Sequence, residues 1–179
     1  MKYATLSAVI VAALSSVNIA SASDGTITFN GELQATTCNV SVDGLGSDAN
    51  VTLPVVGVSQ LSTAGATAGQ TKFSIDLSNC EGTQNTATAF FESGQNVDSN
   101  GRLSNTGSAG TNVSLQLRDG SNTNTPVIIV GNTSQETNNF YGDIANGSLS
   151  LPYLVEYYAN QAAIPGLVNS SVTYSIIYK

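Results

Sequence analysis

An all-β sandwich of the immunoglobulin-like kind is the fold this 179-residue sequence predicts, and three observations predict it. Runs in which apolar and polar residues strictly alternate recur along the chain, the pattern of strands with one buried face. Gly, Asn, Ser and Pro separate them at sandwich spacing. No segment carries a helical period of any length. Hydrophobic residues make up 41 % of the chain and charged ones only 9 %. Because the hydrophobic residues alternate, a packed β domain is expected rather than a disordered polar chain.

The elements follow in order. Residues 1–22 read as a secretory signal peptide: Lys2 supplies the positive start, Leu6 to Leu14 the apolar run, and Ala20-Ser21-Ala22 the small-residue cleavage pattern. That run is too short to span a bilayer. In Gly25 to Leu33, Ile27, Phe29, Gly31 and Leu33 fall on one face of an extended strand, and Thr26, Thr28, Asn30 and Glu32 on the other. Such a strand needs a groove to bury its apolar face. Asn30-Gly31 also has the alternative reading of a turn.

Cys38 to Val42 continues this strand, and Val51 to Leu53 is a short strand stopped by Pro54. Residues 57–70, rich in Gly, Ala, Ser and Thr, read as a connection. Phe73, Ile75 and Leu77 mark a strand ending at Cys80. Thr86 to Glu92 is the next. Residues 93–111 form a polar stretch with an Asn100-Gly101 turn. Val113, Leu115 and Leu117 alternate again, and Pro126 to Val130 is a short apolar run. Leu149 to Tyr157 is a long strand, and Val172, Tyr174, Ile176 and Tyr178 mark the last one. That last strand runs to Lys179, so the edge and groove beside it are expected to be exposed.

Composition excludes several functions. Without Lys2, four of the five basic residues remain against twelve acidic ones. Phosphate backbones and anionic membrane surfaces both need a basic face, so neither nucleic acid nor a membrane is an expected partner. Histidine is absent, which removes Ser-His-Asp and Cys-His catalysis. No phosphate-binding loop occurs, and Gly44-Leu45-Gly46 reads as a turn. Asp98-Ser99-Asn100-Gly101 lacks the rest of a calcium loop and also reads as a turn. The scattered carboxylates form no readable acid–base pair. Tyr153, Tyr157 and Tyr158 read as core and rim rather than a sugar platform. No enzyme activity, cofactor or metal is expected. Cys38 and Cys80 are the only two cysteines. In an exported chain they are expected to pair, closing a loop that stabilises the fold by roughly 4 kcal/mol on the chain-entropy account.

The ordered set of these features resembles the pilin subunits of the chaperone–usher pathway, close to type 1-like major fimbrial subunits. It is carried by Ile27-Thr28-Phe29-Asn30-Gly31 ahead of Cys38, the Cys38–Cys80 spacing, Thr52-Leu53-Pro54 and the run from Asn100 to Asn105. Val113 to Leu117, Tyr153 to Tyr158, Pro165-Gly166 and the penultimate Tyr178 complete it.

The resemblance implies an incomplete immunoglobulin-like sandwich lacking its last strand, with residues 23–37 as an N-terminal donor strand and 38–179 as the pilin domain. It implies a fimbrial structural subunit that polymerises by donor-strand exchange and supports cell attachment. A minor adaptor or tip pilin is the alternative, and a sugar-binding adhesin a more distant one, since the chain is too short for an added lectin domain. The implied partners are further copies of the chain, related pilins, a periplasmic chaperone and an outer-membrane usher, on a route through the periplasm to the cell surface. Ile27, Phe29, Gly31 and Leu33 would enter a neighbour's groove, Gly31 where that groove is shallow. Gly166, Val172, Tyr174, Ile176, Tyr178 and Lys179 would form the groove and the chaperone and usher contacts.

Overall fold

A computed structural model of the chain describes Gly25, Thr28, Phe29, Gly31 and residues 37–179. The chain divides into two units, Met1–Leu33 and Gln34–Lys179. In the first, the described residues are exposed and belong to no strand or helix. All regular structure among the described residues lies in the second.

That unit holds β1 (Thr37–Val42), β2 (Thr67–Glu81), β3 (Thr86–Phe91), β4 (Leu103–Ser104), β5 (Val113–Asp119), β6 (Val127–Ile128), the one-turn helix α1 (Gln135–Asn138), β7 (Gly142–Asp143), β8 (Ser148–Ala159) and β9 (Tyr174–Tyr178). One sheet runs β1-β2-β8-β5-β4, with β6 also on β5; the other runs β7-β3-β9. Every named pairing is antiparallel.

Alternation sets the register. Phe73 stands opposite Tyr153, Ile75 opposite Leu151 and Leu77 opposite Leu149, so one face of the β2–β8 pair is continuously apolar. Ala87, Ala89 and Phe91 of β3 face it from the second sheet and are fully buried with Ile75, Leu77 and Leu151. Burying Phe91 or a Leu or Ile of this set contributes about 1.5–3 kcal/mol each. Tyr153 spans the two sheets: its ring meets Phe91 edge-on at 5.0 Å, and its hydroxyl oxygen accepts the Ala89 N–H at 3.2 Å.

The outer face of the larger sheet is tied by a polar network. Glu156, buried, accepts from Arg118 Nε at 2.6 Å, Gln116 Nε2 at 2.9 Å and Gln70 Nε2 at 3.2 Å. The Arg102 guanidinium lies 3.7 Å over the Tyr158 ring.

Three elements differ from the sequence expectation. Val51 to Leu53 is not a strand, because among the described residues nothing pairs with its backbone. Residues 67–70, expected as connection, open β2 instead. Gly69, at φ +67°, makes a bulge there; a Cβ at this position would stand 2.8 Å from the Tyr157 ring, so the absence of a side chain lets the strand continue. The polar stretch 93–111 contains β4, which pairs with Leu115 and Ser114.

Candidate functional site: an open apolar groove

β9 alternates Tyr174, Ile176 and Tyr178 with Ser175 and Ile177. The first three pack against the core cluster. Its residues pair with β3 from Ala87↔Tyr178 to Phe91↔Tyr174. The other edge of β9 has no strand partner among the described residues. Across from it, residues 47–53 form no strand or helix and are equally without a strand partner.

Between these two lies an open cavity of about 570 Å³. Ile75, Phe91, Leu115 and Leu117 form its floor, with Val51 and Leu53 on one wall and Val168 and Val172 on the other. These floor residues belong to the buried core of the sandwich, and the cavity above them opens to solvent beside β9. Of the described lining residues only Asp48 is charged.

Tyrosine hydroxyls tie β9 to β1 and to the loop that follows it. Tyr174 Oη donates to the Ser47 carbonyl at 2.8 Å, and the Tyr178 hydroxyl is hydrogen-bonded to the Cys38 backbone. Burial holds the Tyr174 phenol above its ordinary value, and the nearby Asp48 charge adds to this. Burial does the same at Tyr178, offset in part by the Cys38 bond.

The residues named from sequence take the following places. Cys38 and Cys80 are bonded, their Cα atoms 4.1 Å apart, and join the start of β1 to the end of β2. Val172 and Tyr174 line the cavity; Ile176 and Tyr178 lie further along β9, against the core but outside the lining. Gly166 is away from the lining as well. A Cβ there would stand 2.7 Å from Thr111 Cγ2 and 2.9 Å from Ser108 Cβ, so the glycine lets the 160s loop lie on the 105–111 loop just before the wall residue Val168.

Lys179 extends the β9–β3 pairing: its N–H donates to Thr86 O at 2.9 Å, and its carbonyl accepts from Asn85 N at 3.0 Å and Thr86 N at 2.9 Å. Its ammonium donates to the Glu136 carbonyl at 2.7 Å and sits 3.8 Å over the Tyr141 ring. Phe29 and Gly31 are exposed, Phe29 at 89 %, and a Cβ at Gly31 would meet no atom within 4 Å. Ile27 and Leu33 lie outside the described residues.

Sequence reasoning missed Val168 and the floor residue Phe91 as groove-forming. Val168 stands in a loop without periodicity, and Phe91 reads as ordinary core. Val51 and Leu53 were legible as alternating residues, though not as a wall.

An apolar channel flanked by unpaired backbone suits one kind of occupant, an extended segment. Main-chain bonds to β9 would hold it, and alternate side chains would fill the floor. Among the described residues no helix is long and apolar enough to cross a membrane.

Residues 53–179 match the family described as type-1 fimbrial protein, A. The major fimbrial subunit SMF-1 of Stenotrophomonas maltophilia (strain K279a) is 48 % identical over 163 residues, covering 89 % of this chain and 95 % of that one. The type-1 fimbrial protein A chain of Escherichia coli is 32 % identical over 193 residues, covering all of both. Among solved structures, the P pilus rod subunit PapA shares the fold at a TM-score of 0.55 and 15 % identity, over 79 % of this chain and 99 % of that one. A chaperone–usher pilus structure does so at 0.57 and 20 %, over 88 % and 96 %.

Proposed function

We propose, from the premise that the chain belongs to the type-1 fimbrial protein family and is a structural fimbrial subunit, that it polymerises by donor-strand exchange as a rod subunit. The open groove beside β9 carries this reading. It leaves about 570 Å³ of open space over the core, and the sequence alternates apolar and polar residues from Ile27 to Leu33, ahead of Cys38. Residues 23–37 of one copy would lie in the groove of the next, Ile27, Phe29 and Leu33 filling the floor and Gly31 crossing a shallow part. Before assembly a periplasmic chaperone would occupy the same groove. It would bind along Val172 to Tyr178, with the Lys179 carboxylate held by basic residues of that partner. An outer-membrane usher would then exchange chaperone for donor strand, and the fibre would serve attachment at the cell surface.

The test mixes the exported chain with a synthetic peptide of residues 23–37. One peptide per subunit, seen as a gel shift and a rise in melting temperature, is the expected result. A peptide carrying Gly31→Leu should bind more weakly, because overpacking costs about 1–3 kcal/mol. Equal binding of both peptides, or of neither, counts against the register or against the whole reading respectively.

A further inference from the structure

We propose that Gln135 and Asn139 form an edge cap on β3 that restricts strand addition in the smaller sheet to the open edge of β9. The inference rests on the donor-strand reading above.

The backbone groups of β3 divide between two sides. Glu92 N–H points toward the β9 side and donates to Thr173 O. The groups of Ala87, Ala89 and Phe91 face the other way. Ala87 is paired with Gly142 of β7, but β7 is only two residues long, and beyond it the backbone reaches the edge once, where Gly131 N–H donates to Phe91 O at 2.9 Å. Side chains fill the remaining places. Phe91 N–H donates to Gln135 Oε1 at 2.9 Å, and Gln135 Nε2 donates back to Phe91 O at 3.0 Å. The carboxamide thus makes the two-way exchange that a residue of a neighbouring strand would make. Asn139 Nδ2 donates to Ala89 O at 3.1 Å, and Ala89 N–H is taken by the Tyr153 hydroxyl.

Gln135 is 2 % exposed, although it stands in a one-turn helix too short to be stable by itself. A buried carboxamide is tolerated only when its groups are paired, and Phe91 supplies a partner for both. The helix is held over this edge a second time, by Lys179 Nζ and Tyr141 Oη, both donating to the Glu136 carbonyl.

The capped edge matters because this protein offers an unpaired strand edge by design of its fold. An unpaired strand edge recruits any strand. A further one, in the middle of the smaller sheet on β3, would compete for donor strands and start off-axis aggregates. With the cap in place, the strand-sized opening that the smaller sheet presents to a donor is the one beside β9.

The test uses Gln135→Leu/Asn139→Ala in the full exported chain, with its groove filled by excess peptide of residues 23–37. Amide exchange at Phe91 should accelerate roughly tenfold or more on loss of a buried bond, while exchange at Glu92 stays unchanged. The filled variant should self-associate in sedimentation at concentrations where filled wild type is monomeric. A folded, filled variant that stays monomeric overturns the cap, whatever its exchange rate. Should the double variant fail to fold, Gln135→Glu decides alone. It keeps the acceptor for Phe91 N–H but puts an oxygen against Phe91 O, so association is again expected and a monomer again overturns the idea. Wild type that binds no peptide sinks the donor-strand reading instead, so the two failures are distinguishable.

Discussion

Four tyrosines, at 153, 157, 174 and 178, have phenols held above the ordinary value of 10.0, in each case chiefly by burial. A group whose folded value is raised keeps its proton longer folded than unfolded. Its stabilising effect is complete below pH 10 and is lost as pH climbs through the unfolded value toward the folded one. The peptide-filled subunit should therefore lose stability above pH 10, as urea midpoints across pH 8–11 would show. Tyr153→Phe should flatten that dependence, since Tyr153 is the most buried of the four. Glu156 makes a different case. Its buried carboxylate depends on Arg118, and removing one partner of a buried pair costs more than removing both. Arg118→Met should destabilise by about 3 kcal/mol, less whatever Gln116 and Gln70 retain. Adding Glu156→Leu should recover most of that loss in the same urea titration.

Among elements, the paired strands were the most legible. β5, β8 and β3 follow their alternation closely, because the apolar set of each packs into the core between the sheets and period two leaves no second register for it. What could not be read depends on partners distant in sequence. Val51 and Leu53 have strand-like side-chain spacing, yet strand structure needs a backbone partner, and residues 47–53 have none among the described residues. The opening of β2 looked like a connection because Gly, Ala and Thr dominate it. Its pairing with Tyr157 and Tyr158 of β8 decides the matter. Nothing near Gln135 or Asn139 announces that their amides will stand in for a strand. The groove follows the same division: Val172 and Tyr174 come from alternation, whereas Val168 is set by how the 160s loop rests on 105–111. If the bare wall is a strand in waiting, filling the groove with donor peptide should slow amide exchange in residues 49–53. Unchanged exchange there, with peptide bound, would place the peptide's backbone bonds on β9 alone.

At the scale of the whole molecule, the proposed donor and acceptor would occupy separate parts of one chain, so each could be disabled separately. Deleting residues 23–35 should leave a subunit that accepts a donor peptide but caps a growing fibre, shortening fibres in electron micrographs in proportion to the amount added. The Cys38–Cys80 bond gives that linear assembly a mechanical property. In a fibre joined as proposed, tension reaches each subunit through the segment ahead of residue 37 and would peel β1 from β2, starting at Thr37↔Glu81. Peeling breaks hydrogen bonds one at a time and needs little force. Here it meets a covalent bond at the second residue of β1, anchored at the penultimate residue of the 15-residue strand β2. The pull is then shared with a strand that is bonded along its length to β8, and β1 cannot unzip from that end while the sulfurs remain joined.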